Sequence, residues 1–125
     1  MDGVRTLKKM HRRLSVTVAL TLLCGCAAVC ENEISQTVRS PSGKMKVVVF
    51  NRGCDATVGF NTQVSLLPAS APLPNDGGNV LIVDETVPLK VEWDSDAAVR
   101  ITGKLHTQIF KQEVSVSGVQ VAYAN

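Results

Sequence analysis

Aromatic side chains are scarce in this 125-residue chain, which has one tryptophan, one tyrosine and three phenylalanines. Base-stacking recognition of nucleic acid needs aromatics beside a basic face, so that class is disfavoured at the outset. Histidine is scarcer still: of two, His11 lies in the N-terminal segment, leaving His106 alone in the body of the chain. No Gly-x-Ser-x-Gly elbow accompanies it, so a serine hydrolase triad has no anchor in the sequence. A phosphate-cradling Gly-x-x-x-x-Gly-Lys run and a dinucleotide fingerprint are also missing. Cys-x-x-Cys spacing is absent, which removes the usual signature of a thiol redox centre. Beyond the N-terminus no stretch keeps a helical period, so the body is expected to be strand-built.

Charge is present at the start and then missing. Arg5, Lys8, Lys9, Arg12 and Arg13 stand against Asp2 alone, and Leu14 to Cys30 carries no charge. A basic head, an apolar middle and a small-residue exit have the layout of a secretory signal peptide, helical in its apolar part. Within that exit, Leu23-Cys24-Gly25-Cys26 resembles the bacterial lipobox, a branched aliphatic and two small residues followed by cysteine. The resemblance implies that the Cys26 thiol receives diacylglycerol and that the chain is cut before it. Residues 1–25 are then a lipoprotein signal peptide, 26–34 a lipidated tether and 35–125 a single β domain. Three other readings stay open: cleavage after Ala28 to give a soluble secreted or periplasmic protein, an uncleaved anchor, and twin-arginine export through Arg12-Arg13. Two or more acyl chains hold a protein firmly on a membrane, whereas one does so marginally. Ala27 in place of Asp favours the outer membrane, facing the periplasm, if the host has two membranes.

Removing residues 1–25 takes five of the thirteen basic side chains and one of the eleven acidic ones, leaving eight against ten. The remaining domain is slightly acidic, and no nucleic-acid partner is expected. Cys24 leaves with the signal and Cys26 is assigned to lipid, so Cys30 and Cys54 remain in an oxidising compartment. A disulfide between them would contribute about 3–4 kcal/mol by restricting the unfolded chain. Two free thiols, or a catalytic Cys54, are the alternatives.

Lys44 to Arg52 is β-branched on both faces, with Met45, Val47 and Val49 on one side and Val48 and Phe50 on the other, which predicts a central strand. Ser40-Pro41-Ser42-Gly43 is a turn ahead of it. From Phe60 to Leu67, alternation places Phe60, Val64 and Leu66 inward and Asn61, Gln63 and Ser65 outward. Ala69 to Gly78 reads as an exposed loop, rich in proline and glycine. Val80 to Val83 reads as a short buried strand. Leu89, Val91 and Trp93 alternate with Lys90, Glu92 and Asp94, and Asp94-Ser95-Asp96 turns into Val99 to Ile101. Val114 and Val116, then Ser117-Gly118, then Val119, Val121 and Tyr123 predict a terminal hairpin. The expected fold is all-β, a small antiparallel sandwich or rolled meander sheet.

Two resemblances accompany this pattern. Ser40-Pro41-Ser42-Gly43-Lys44 resembles the blade-opening turn of TolB-type propellers, faintly repeated at Trp93-Asp94-Ser95-Asp96. Propellers need at least four repeats of roughly 40 residues, more than the mature chain holds. Residues 40–67 are similar to a family of small uncharacterised bacterial domains reading Ser-Pro-Asp-Gly-Lys, an apolar strand, Cys-Gly-Ala-Thr-Thr-Gly-Phe and Ser/Asn-Thr-Gln-Val-Ser. Here Ser42, Asp55 and Val58 depart from that pattern. The resemblance implies the domain assignment and an upstream partner for Cys54, and no activity.

The polar run behind Cys54 is the candidate binding loop, through Asp55, Thr57, Asn61, Thr62 and Gln63, because rigid polar loops often hold binding groups. The competing reading has these side chains bonded to backbone at a strand crossing. His106 reads as solvent-facing. Asp94 with Asp96, and Asp84 with Glu85, read as turn residues because no calcium loop accompanies them. Trp93 and Tyr123 read as core anchors. No metal, cofactor or catalytic set is expected. The function expected is a non-enzymatic binding or structural module of the cell envelope, with an envelope protein or glycan as partner. The alternative is a small hydrolase or thiol-redox protein using Cys54 or His106.

Overall fold

Strands alone build the described part of the molecule, in a computed structural model that describes residues 29–54 and 59–125. The strands are β1 (Glu31–Arg39), β2 (Met45–Gly53), β3 (Asn61–Pro68), β4 (Leu81–Val83), β5 (Lys90–Ser95), β6 (Ala98–Thr102), β7 (Ile109–Gln112), β8 (Ser115–Val116) and β9 (Val119–Ala124). They form a five-stranded sheet in the order β1-β2-β3-β4-β7 and a four-stranded sheet in the order β5-β6-β9-β8. The all-β expectation holds, as a small sandwich. Residues 1–28, which hold the expected signal peptide and Cys26, lie outside the described residues.

β2 is the central strand its composition predicts, paired with β1 on one side and β3 on the other. Its two faces enter two different cores. Val47 and Val49 join Val64, Leu66, Leu81 and Val83, facing Val91, Val99, Ile101, Val119 and Val121 of the other sheet. Val48 and Phe50 lie on the opposite face with Leu67, closed over by Ala71 and Leu73. Each such buried side chain contributes roughly 1.5–3 kcal/mol relative to exposure.

The second core corrects two expectations. The 69–78 segment is not simply an exposed loop but a strap across the outer face of β2 and β3. Gln63 and Ser65 are consequently buried, at 4% exposure each, and Phe60 lies outside β3 with 44% exposure. Strict alternation assumed one wet face, and the strap removes it. Polar groups pair beneath the strap: the Gly78 N–H donates to Gln63 Oε1 at 2.6 Å and the Asn79 N–H to Ser65 Oγ at 3.3 Å. A Cβ on Gly78 would stand 2.7 Å from the Val64 carbonyl oxygen, so the close approach of strap to strand requires glycine. The Asn79 amide meets the main chain of Leu66 twice, at 2.7 and 2.9 Å, in place of a neighbouring strand.

Pairing is antiparallel except between β6 and β9, which are parallel. The sheets are thus mostly antiparallel, as expected, with this one parallel pair that the strand pattern did not reveal. After β6 the chain crosses to the other sheet as β7, beside β4, and returns through the β8–β9 hairpin. That crossover delivers β9 in the same direction as β6, the kind of long connection parallel neighbours need. The predicted Ser117-Gly118 turn has positive φ at both residues, 49° and 78°, the backbone of a type I′ hairpin.

Side-chain ties join the sheets. Gln36 Nε2 donates to the Leu89 carbonyl at 2.8 Å, and Trp93 Nε1 to the Val38 carbonyl at 3.0 Å. At the far end the Ser42 N–H donates to Asp96 Oδ1 at 2.9 Å, bringing together the two turns whose sequences faintly repeat each other.

β1 also corrects a boundary. It begins at Glu31, whose partner is Gly53, so residues 31–34 belong to the sheet rather than to the 26–34 tether. Ile34 among them stands opposite Phe50.

Candidate functional site

The described members of the sequence's candidate set, Cys30, Cys54, Asn61, Thr62 and Gln63, lie towards one end of the sandwich. Cys30 and Cys54 are joined there by a disulfide spanning a sequence separation of 24. Because Glu31 pairs with Gly53, the two cysteines occupy the next step of the β1–β2 ladder and close its open end. Such a loop corresponds to about 3–4 kcal/mol of stabilisation. The alternative of free thiols at these positions is not what the structure has, and Cys54 in this form has no thiol to act as a nucleophile.

Of the five candidate binding residues, Asp55 and Thr57 lie outside the described residues. Asn61 is half-buried, and its Oδ1 accepts from Gln63 Nε2 at 2.8 Å. Thr62 is 1% exposed; its hydroxyl donates to the Glu85 carbonyl and accepts from the Val87 N–H, both at 2.8 Å. Gln63 is therefore corrected from a binding to a structural residue, buried with its amide already paired. The Thr62 hydroxyl is committed to the Glu85–Val87 turn, while the residue itself borders the groove beside that turn. Thr62 pins the Glu85–Val87 turn, where Glu85 has φ of 64°, onto β3. The Phe60 ring lies over Gly53, 3.1 Å from where a Cβ would stand, which packs the chain entering β3 against the disulfide end.

Sequence reasoning missed a groove of about 390 Å³ beside this pinned turn. Val49, Asn51 and Thr62 form its floor, Ser35 and Gln36 one wall, and Thr86 to Leu89 the other. It exists because β2 and β3 extend past the edge of the other sheet, leaving their inner face covered by a loop rather than by a strand. The nearest local signal is a bulge in β1 between Ile34 and Gln36, which turns the Ser35 hydroxyl onto the Val49 carbonyl at 3.1 Å. Bulges are not legible in a sequence whose pairing is unknown. The volume lies within the usual range for small-ligand sites. No titratable side chain lines it, so its chemistry is that of neutral hydrogen-bonding groups beside apolar walls.

The remaining candidates are dispersed. His106 is exposed in the connection between β6 and β7, and among the described residues no hydrogen bond joins it to a serine or carboxylate. Asp94 binds Arg100, which raises the guanidinium above its ordinary value. Asp96 is lowered by the Ser42 backbone N–H it accepts. Glu92 is lowered by the hydrogen bond and charge of Lys90, 2.8 Å away. These acids act as turn and surface-pair residues; Asp84 likewise accepts from the next N–H, of Glu85, at 3.0 Å. Among the described residues no group of three or more His, Cys, Asp and Glu could hold a metal ion. Tyr123 is half-buried against the main core, where burial and then the Glu113 charge push its phenol up to about 12. Its hydroxyl donates to the Glu113 carbonyl at 2.6 Å.

Comparison with protein-family models, curated proteins and solved structures finds no match for this chain. No described helix is long and apolar enough to cross a membrane.

Proposed function

We propose that this protein is an exported lipoprotein, anchored through acyl chains on Cys26, whose β domain is a non-enzymatic binding or structural module of the cell envelope. The observation that carries the reading is the Cys30–Cys54 disulfide, four residues beyond the lipobox cysteine. Structural disulfides persist in oxidising compartments, so the bond supports export. Residues 26–29 can extend to about 14 Å at most, which would hold the disulfide end of the sandwich close to the membrane. An envelope protein or a glycan is the partner proposed, and the uncharged groove suits a neutral ligand better than a charged one. In a host with two membranes the location proposed is the outer one, on its periplasmic side.

Intact mass of protein extracted from membranes tests the anchor. The expected species begins at Cys26 and has the added mass of acyl groups. A species beginning at Val29 without acyl groups overturns the reading in favour of a soluble secreted form. Crosslinking of the tagged protein in native membranes then tests the binding role.

A further inference from the structure

β1 is an outer strand of its sheet, and its first four residues, ahead of the bulge at Ser35, are paired with β2 alone. Glu31, Glu33, Ile34 and Ser35 are exposed there, so beyond the ladder that end is held by side-chain hydrogen bonds. Asn32 Nδ2 donates to the Pro74 carbonyl at 3.1 Å, Asn32 Oδ1 accepts from Arg52 at 2.7 Å, and the Ser35 hydroxyl donates to the Val49 carbonyl at 3.1 Å. Consider a pull on the chain ahead of Cys30, directed across the strands. Without the disulfide it would reach the Glu31–Gly53 pair first and open the ladder one pair at a time. The Gln36–Leu89 and Trp93–Val38 ties would follow as β1 lifted away.

The disulfide changes the covalent path. Tension entering at Cys30 leaves through the two sulfurs and rejoins the main chain at Cys54, so residues 31–53 bear none of it. We infer that this disulfide is a mechanical bypass, which takes the β1–β2 hairpin off the path of force and delivers tension to the start of β3. β3 is better placed to resist. It lies between β2 and β4, and from Thr62 to Leu67 it is buried on both faces. The proposal goes beyond membrane anchoring, since it holds whatever grips the N-terminal segment.

Single-molecule pulling on the full chain, with handles at its two termini, tests the bypass. The oxidised protein should reach full extension about 80 Å short of the reduced protein, the length of the 24-residue separation at roughly 3.4 Å per residue. After treatment with dithiothreitol, which is oxidised to its cyclic disulfide as two protein thiols form, a new first event should appear at lower force. Its length should match release of β1. The Cys30→Ala/Cys54→Ala variant should reproduce the reduced trace, and reduced wild-type protein serves the same purpose if that variant does not fold. Equal first-rupture forces with and without the disulfide would overturn the proposal, because β1 would then not be the strand being protected. Neither arm depends on acylation, so failure here is distinct from failure of the lipoprotein reading.

Discussion

The two ends of the sandwich are closed by different chemistry. At one, the Ser42 N–H meets Asp96 Oδ1 between two exposed turns, and Arg39, Lys44 and Lys46 lie nearby in β1, the turn and β2. At the other, a disulfide, a buried threonine and a phenylalanine ring close the sheet, with Glu31, Glu33, Asp84 and Glu85 around them. An exposed hydrogen bond competes with water and is replaceable. A covalent link and a buried hydroxyl with two partners are not. The difference teaches that the end nearest the N-terminal segment is the one built to stay shut.

The largest expected effect comes from breaking that asymmetry at its strongest point. Replacing both cysteines with alanine should remove about 3–4 kcal/mol, read as a lowered urea midpoint under non-reducing conditions. A loss below about 1 kcal/mol would show that the β1–β2 ladder needs no clamp. Next is Thr62→Val, which keeps the shape but leaves the Glu85 carbonyl and Val87 N–H without their shared partner. The expected cost is about 1–3 kcal/mol, with faster amide exchange at Val87 as its local signature.

Tyr123 gives a smaller effect with a defined pH window. Its folded pKa of about 12 lies above the ordinary value of 10.0, so its contribution is complete below pH 10 and lost as pH rises towards 12. Discounted for its partial exposure, that contribution is about 1 kcal/mol, and Tyr123→Phe should flatten this part of the stability curve. Asp96 marks the weak end of the comparison. Its folded pKa is depressed by the Ser42 N–H, so its contribution is present above the ordinary carboxylate range and lost as pH falls through the lowered value. Asp96→Asn should blunt that acid dependence, with a small loss of stability at neutral pH and none in acid, where the carboxyl is already protonated. A loss rivalling that of the cysteine pair would erase the distinction between the ends.

Much of the strand pattern was legible because alternation and β-branching report directly on local backbone. β2, the Leu89–Asp94 alternation and the Ser117-Gly118 turn came through on those grounds. What failed depended on distant partners. Gln63 and Ser65 look like solvent-facing polar residues until the strap covers them, and no local period reveals a strap. Parallel pairing of β6 with β9 is similarly silent, since a strand's composition does not say which way its neighbour runs. At the site, the cysteine pair was readable by elimination, with free thiols left as alternatives. The groove was not, because it arises from two sheets of unequal length.

The position of β9 also bears on when this protein can fold. Residues 119–124 form an interior strand of their sheet and supply Val119 and Val121 to the main core. Until they are available, β5 and β6 are a lone hairpin, which is marginal in water. A chain emerging from its N-terminus therefore cannot complete the second sheet until residues 119–124 are free, and its long-range pairings make that closure slow. Closure of the sandwich thus waits on β9, so the second sheet is completed by the strand made last among those described rather than grown outward from the first.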